Sequence, residues 1–128
     1  VSASDFPVTS NPNPFYAMQF GVTRNLVDGE PYGVPNITDM DDPAYLLWPE
    51  ERVDIKRMIR SFTADAAWAL GLEGETGTLE PGKSADFIVV DQNVLDADPL
   101  AIKDTKVLAT YLRGEKIFDA AQATDPKE

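Results

Sequence analysis

The sequence contains no cysteine and no histidine. Without cysteine, the chain can form neither a disulfide framework nor a thiolate nucleophile, and cysteine usage gives no indication of its redox compartment. Without histidine, it lacks the usual general base, the usual proton shuttle and the most common metal ligand of proteins. Catalysis by this chain alone would therefore have to rest on carboxylates, lysine, tyrosine, serine or threonine.

Basic residues are also scarce. Eleven Lys and Arg residues stand against 22 Asp and Glu residues, which gives a net charge of −11. Nucleic acids and anionic membrane surfaces bind concentrated Lys and Arg, so we expect neither as a partner. No apolar run approaches the roughly 20 residues that span a bilayer, and no signal peptide is visible. These absences favour a cytoplasmic protein.

The chain has 128 residues, of which 43% are hydrophobic. This length and composition suit one globular domain. Asn13 followed by Pro14 predicts the start of a helix. After a long irregular loop over 25–48, apolar residues at helical spacing predict two helices over 49–70. Thr63 is the expected cap of the second helix, and Gly71 is its expected terminator.

The C-terminal half has the composition of β-structure. The run FIVV over 87–90 predicts a buried strand, and 107–112 and 116–118 predict two further strands. Arg113 and Gly114 would form the tight turn between these two strands. The last residues, 120–128, indicate a frayed tail.

Two motifs in the chain match known ligand loops only superficially. GTLEPGKS, residues 77–84, has the spacing of a phosphate loop, but a helical run precedes it and a β-branched run follows it, the reverse of the required order. We interpret it as a turn that leads into a strand. Asp39, Asp41 and Glu50 take positions of a calcium loop, but Ala44 stands where that loop needs glycine, so an acidic solvated loop is favoured.

A lone aspartate, Asp5, lies in the segment SDFP over 4–7. Such a residue often accepts local backbone hydrogen bonds in a capped loop after a strand. A single carboxylate is a weak signal for a catalytic site. The residues by themselves leave both interpretations open.

Three longer stretches, over 4–24, 57–91 and 96–118, resemble one known family. They are SDFPVTSNPNPFYAMQFGVTR, RMIRSFTADAAWALGLEGETGTLEPGKSADFIVVD and DADPLAIKDTKVLATYLRGEKIF. In this order they are similar to the C-terminal part of the amidohydrolase superfamily, in particular amidohydrolase family 3 with its YtcJ-like and N-substituted formamide deformylase-like members. Within that family PGKSAD, residues 81–86, corresponds to a turn into a small β-sandwich.

The resemblance implies a metal-dependent hydrolase whose (β/α)8 barrel carries most of its metal ligands, histidines, upstream of this chain. A divalent metal, for which zinc is the expectation, lowers the pKa of bound water. Asp5 matches the aspartate at the end of the eighth barrel strand, and is therefore the predicted metal ligand and the predicted catalytic residue that takes the proton of that water. Arg24 is a weaker candidate for an anchoring role. We expect no metal on this chain alone.

The resulting fold prediction is an α/β fragment. Residues 1–72 would form the last strand and helices of the barrel, and residues 73–119 would form C-terminal strands of the flanking β-sandwich. The intact parent would hydrolyse a non-peptide C–N bond of a small amide-type substrate, and the isolated chain would be inactive. Expected partners are the missing N-terminal barrel part and a second copy bound through the strands around 107–118. The alternative is a stand-alone binding, structural or regulatory module that keeps the scaffold without the catalytic site.

Overall fold

The computed structural model describes residues 1–3, 7 and 11–123. Three α-helices precede a three-stranded sheet: α1 (Pro14–Thr23), α2 (Ile55–Phe62), α3 (Ala64–Ala69), β1 (Phe87–Val90), β2 (Val107–Leu112) and β3 (Glu115–Asp119). Short 3-10 helices lie at Glu30–Tyr32, Pro49–Glu51 and Pro99–Asp104. In the part of the chain that the structure describes, every helix is too short or too polar to cross a membrane. Residues 1–3 contain no strand.

α1 begins where the sequence predicts. The Asn13 side-chain oxygen accepts a hydrogen bond from the Phe15 N–H at 2.9 Å, and Pro14 is the first helical residue. A side-chain cap of this kind stabilises a helix by about 1 kcal/mol. The helix ends at Arg24, which takes a left-handed φ of 55° and donates its N–H to the Phe20 carbonyl at 2.8 Å.

The predicted helical region over 49–70 divides into a 3-10 turn and two α-helices. Asp54 caps α2 by accepting from the Arg57 N–H at 2.8 Å. Thr63 is the N-cap residue of α3, as predicted, but its side chain accepts no hydrogen bond from that helix. The hydroxyl instead donates to the Ile59 carbonyl in the last turn of α2 at 2.9 Å.

The prediction for the end of α3 is confirmed. Gly71 has a φ of 71° and donates to the Trp68 carbonyl at 3.0 Å. Leu72 then donates to the Ala67 carbonyl at 2.8 Å. These two bonds form a Schellman motif, in which glycine takes the left-handed position without a Cβ penalty.

The sheet is antiparallel with the order β1-β2-β3. Phe87 of β1 pairs with Tyr111 of β2, and their rings stack at 4.5 Å. Arg113 and Gly114, with φ values of 54° and 82°, connect β2 to β3. Positive φ at both central residues characterises the type I′ turn, whose twist matches that of the strands. The predicted hairpin is therefore confirmed, with β3 extending over Glu115–Asp119.

The prediction that β1 is buried is wrong for the described chain. Ile88 and Val89, whose side chains point to opposite faces of the sheet, are 46% and 42% exposed. Nothing among the described residues covers either face fully at these positions. β1 is therefore an apolar strand that the described residues leave partly exposed.

The core lies between α1, α2 and the segment that follows β1. Its buried residues are Phe15, Met18, Met58, Val94 and Ile102. Burial of their side chains contributes roughly 1.5–3 kcal/mol each. The core therefore joins the helical part of the chain to the 3-10 helix that precedes β2.

The turn before β1 is not a phosphate loop, as the sequence predicts. Lys83 donates its N–H to the Glu80 carbonyl at 3.1 Å, and Gly82 has a φ of 94°. This is the arrangement of a type II turn, with Pro81 at the second position and glycine at the third. A strand follows it instead of the helix that a phosphate loop requires.

The Asp86 carboxylate ties this turn to the β2–β3 hairpin. One oxygen accepts from the Ser84 hydroxyl at 2.7 Å and from the Arg113 N–H at 2.8 Å, and the other accepts from the Thr76 hydroxyl at 2.8 Å. These hydrogen bonds, led by that from Ser84, lower the pKa of Asp86 below its ordinary value of 3.8. The charged form is therefore the one that the fold stabilises.

Shortening Ile102 tests the core. This side chain is 2% exposed, so Ile102→Ala removes buried methyl groups and leaves a cavity. We expect it to lower the free energy of unfolding by about 2–5 kcal/mol and Ile102→Val by about 0.5–1.5 kcal/mol. Urea unfolding of both variants measures the difference. Equal, negligible losses in both would contradict the assignment of Ile102 to the core.

The pKa shift of Asp86 predicts an acid-dependent loss of stability. The folded pKa lies below the unfolded pKa, so the contribution is present above the ordinary value near 3.8 and is lost as pH falls through the folded pKa. At pH 7, Asp86→Asn should have a lower urea midpoint than the unsubstituted chain. The difference between the two midpoints should become smaller as the pH approaches 3. Glu115→Gln, an exposed carboxylate on β3, is the control. A gap that is constant with pH would oppose this interpretation.

Candidate functional site

Asp5, the predicted metal ligand and catalytic residue, lies outside the described residues. The nearest described positions in the chain are Ala3 and Pro7. Ser2 is held to α2, because its hydroxyl lies 2.8 Å from the Ser61 hydroxyl. The structure therefore describes the surroundings of this segment but does not place the Asp5 side chain.

A cavity of about 540 Å³ opens beside α1. Its walls come from the first residues of the chain, from one side of α1 and from the loop over 25–48. The lining residues that bear on chemistry are Ser2, Asn11, Tyr16, Phe20, Arg24 and Tyr32. This volume accommodates a small organic molecule.

The spacing of α1 and one glycine shape the wall of this cavity. Tyr16, Phe20 and Arg24 follow one another at intervals of four, so their side chains lie on the same side of the helix. Gly21 faces α2, where any Cβ would collide with the sulfur of Met58. The absence of a side chain at position 21 therefore sets how closely the two helices approach.

The loop over 25–48 is anchored by a buried amide. Asn25 is fully buried, and its side-chain nitrogen donates to the Asp42 carbonyl at 2.9 Å and to the Met40 carbonyl at 3.3 Å. Its side-chain oxygen accepts from the Leu26 N–H at 2.8 Å. A buried amide in this position needs such partners, because an unsatisfied one costs about 1–3 kcal/mol.

A second anchor is the guanidinium of Arg52. It donates to the Thr23 carbonyl at 2.9 Å and to the Met40 carbonyl at 2.8 Å, and it pairs with the Asp41 carboxylate at 2.7 Å. The planar fork of arginine suits three acceptors at once. Sequence reasoning missed this residue, because its partners lie 11 to 29 positions away.

The acidic loop contains no calcium arrangement in the described structure. Asp41 is committed to Arg52, and Asp39 accepts the Asp41 N–H at 2.9 Å. Among residues 1–3, 7 and 11–123, no three His, Cys, Asp or Glu side chains come together in a way that could hold a metal ion. The described side chains alone therefore do not fit the metal centre that the sequence resemblance implies.

Arg24, the predicted anchoring residue, does line the cavity. Its guanidinium lies over the Phe20 ring at 5.0 Å from the ring centre, and its Nε donates to the Leu47 carbonyl at 3.3 Å. A cation over an aromatic face is attracted by the ring quadrupole. The orientation of this charged group is therefore fixed by the loop and by the helix together.

Tyr16 contributes a neutral donor to the same cavity. Partial burial raises the pKa of its phenol above 10.0, and the neighbouring Tyr32 and Asp28 raise it further. The hydroxyl is therefore protonated at neutral pH and can donate a hydrogen bond. The sequence signal that could have identified Tyr16 is its four-residue spacing from Phe20 and Arg24.

Comparison with known proteins places these features in a family. A sequence profile described as the Amidohydrolase family matches residues 1–118. The chain is 28% identical to an N-substituted formamide deformylase of Arthrobacter pascens, over 85% of this chain and 20% of that protein. It is 30% identical to Protein LONG AFTER FAR-RED 3 of Arabidopsis thaliana, over 90% of this chain and 17% of that protein.

A shorter similarity concerns the same superfamily. The chain is 46% identical to a 5-methylthioadenosine/S-adenosylhomocysteine deaminase of Teredinibacter turnerae, over 38% of this chain and 11% of that protein. The chain thus spans at most about a fifth of the length of these relatives. No solved structure matches it significantly. Because the profile match covers residues 1–118 of 128, the chain belongs to the Amidohydrolase family.

Proposed function

We propose that this chain is the C-terminal part of a metal-dependent amidohydrolase that hydrolyses a non-peptide C–N bond of a small molecule. The observation that carries the proposal is the profile match over residues 1–118. Relatives named as a formamide deformylase and a deaminase support C–N bond chemistry. The small share of each relative that the chain covers supports a longer parent protein.

Within this parent, residues 1–72 would contribute the end of a (β/α)8 barrel, and residues 73–119 would contribute strands of a flanking β-sandwich. The order of helices before strands supports this division. The exposed apolar residues Trp68, Leu70, Leu79 and Ile88 support it as well, since each is between 46% and 74% exposed. The remainder of the parent, including the N-terminal barrel part, is the proposed partner that covers them.

Asp5 is the proposed metal ligand and proton acceptor of that parent. The argument rests on the match of its segment to the family. The chain contains no histidine, so the other ligands would come from the remainder of the parent. Zinc is the metal we expect there, because histidine and carboxylate ligands suit it.

The loop over 25–48 follows α1, so in the barrel it would lie on the face opposite to the loops that follow strands and form active sites. Its anchors, Asn25 and Arg52, bind it to the end of α1 through the contacts with Met40 and Thr23. A loop held in this way has a fixed position relative to α1. The substrate we propose is an amide-type small molecule.

The role of Asp5 can be tested in the parent protein. Asp5→Asn should lower kcat by about 10²–10⁴-fold with an N-substituted formamide as substrate and added zinc, because the carboxylate that takes the proton is lost. Asp104→Asn, which removes an exposed carboxylate from the 3-10 helix Pro99–Asp104, is the matched control and should keep its activity. A parent that is inactive in every form on a panel of amides would overturn the proposed hydrolysis. An active parent that tolerates Asp5→Asn would overturn only the role of Asp5.

The 128-residue chain alone should show no turnover and less than stoichiometric zinc, because a catalytic zinc needs about three protein ligands. Stoichiometric zinc with amidase activity would contradict this. The alternative function, a stand-alone binding, structural or regulatory module, is distinguished by an immunoblot of source cells. A band near 14.0 kDa favours the module, and one at roughly 50–60 kDa favours the hydrolase.

The isolated chain should also self-associate through the edge strand β3. Ile117 and Phe118 on this strand are 61% and 41% exposed, and an open edge invites pairing with another strand. Light scattering over a wide concentration range should show a dimer, and Ile117→Lys should shift it to monomer. Leu79→Lys, at a residue that is 71% exposed and lies outside β3, is the control. A monomer at all concentrations would refute the pairing.

A further inference from the structure

Arg24 and Arg113 are the arginines that have no carboxylate partner among the described residues, and Arg24 is the one of the two that lines the cavity. Among the other arginines, Arg52, Arg57 and Arg60 pair with carboxylates. Within the described residues Arg24 has no such partner, and its two terminal amino groups make no hydrogen bond there. With 22 acidic residues in the chain, a cation that lines a cavity without a carboxylate partner can accept an anion from outside.

The walls around Arg24 are aromatic. Tyr16, Phe20 and Tyr32 line the same cavity of about 540 Å³. Tyr32 is 70% exposed and Phe20 is 37% exposed, and the Arg24 guanidinium covers one face of the Phe20 ring. Aromatic rings pair with one another in offset or edge-to-face arrangements, which a flat apolar ligand can satisfy.

We propose that this cavity binds a small aromatic carboxylate. The ring of the ligand lies among Tyr16, Phe20 and Tyr32, and its carboxylate accepts hydrogen bonds from the terminal amino groups of Arg24. Arginine donates two parallel hydrogen bonds to a carboxylate, which fixes the ligand in orientation as well as position. The proposal concerns the cavity alone and does not depend on hydrolysis by the parent protein.

The site is organised before a ligand arrives. The Arg24 side chain is held by the Phe20 ring and by the Leu47 carbonyl. Its backbone is fixed by the left-handed φ of 55° and by the hydrogen bond to the Phe20 carbonyl. A guanidinium that is already ordered loses less rotational freedom on binding, so a larger share of the interaction appears as affinity.

A carboxylate of the neighbouring loop should oppose anion binding. Asp28 follows Val27, which lines the cavity, so we expect its negative charge to disfavour the entry of an anion. Its own oxygen accepts the Glu30 N–H at 3.2 Å. Removing the Asp28 charge should strengthen anion binding, whereas removing the Arg24 charge should weaken it. A role in folding alone predicts no such opposite effects on ligand affinity.

The test uses phenylacetate as the probe and the ¹⁵N-labelled 128-residue chain. Titration should shift the backbone amide resonances of Gly21 and Arg24, with a dissociation constant on the order of 1 mM for a ligand of this size. The neutral analogue 2-phenylethanol should bind about tenfold more weakly, since it lacks the charge-assisted pair. Acetate, which lacks the ring, should produce no saturable shift.

Four variants complete the test. Arg24→Gln should weaken phenylacetate about tenfold, Arg24→Lys should weaken it less, and Asp28→Asn should tighten it. Arg57→Gln, an exposed arginine on α2, is the matched control and should leave the affinity unchanged. Near-ultraviolet circular dichroism checks that each variant is folded. Equal affinities for phenylacetate and 2-phenylethanol, or equal affinities for the Arg24 and Asp28 variants, would overturn the proposal.

Discussion

The two parts of the described chain are joined by one long-range hydrogen bond, from the Lys103 N–H to the side-chain oxygen of Gln19 at 2.9 Å. The two residues are 84 positions apart, and Gln19 is 2% exposed. A buried amide without a partner costs about 1–3 kcal/mol. Gln19 therefore favours packing of the 3-10 helix Pro99–Asp104 against α1, because that helix supplies the Lys103 N–H. Ile102, beside Lys103, adds apolar contact at the same place. The position of the sheet relative to the cavity depends on this junction.

The loop over 25–48 is held by a separate set of polar contacts. Asn25 and Arg52 both donate to the Met40 carbonyl, so one backbone group in the loop is held from two sides. Arg52 also reaches the Thr23 carbonyl at the end of α1. A loop of this length, with only the short 3-10 helix Glu30–Tyr32 inside it, is usually functional. In this chain it is ordered by polar contacts to the helix that carries the cavity wall.

The sequence predicted most features that depend on neighbouring residues, although the Thr63 side chain does not cap α3. The helix cap at Asn13, the terminator at Gly71 and the hairpin turn at Arg113 and Gly114 follow from local backbone preferences, and the structure has them all. The Arg52 contacts could not be predicted, because no periodicity links residues so far apart. The burial expected for β1 failed because composition shows that a strand is apolar, not whether a partner covers it. The hypothesis for Asp5 came from family resemblance, and that residue lies outside the described part of the chain.

The close approach of Gly21 and Met58 has a chemical consequence. The Met58 sulfur occupies the volume that a side chain at position 21 would need, and Met58 is only 8% exposed. An oxidant can convert a thioether to a sulfoxide, which is larger and polar, only when it reaches the sulfur. Met58 lines the cavity beside α1, so this cavity is the route by which an oxidant would reach its sulfur. The rate at which peroxide oxidises Met58 therefore reports how accessible the cavity is in solution.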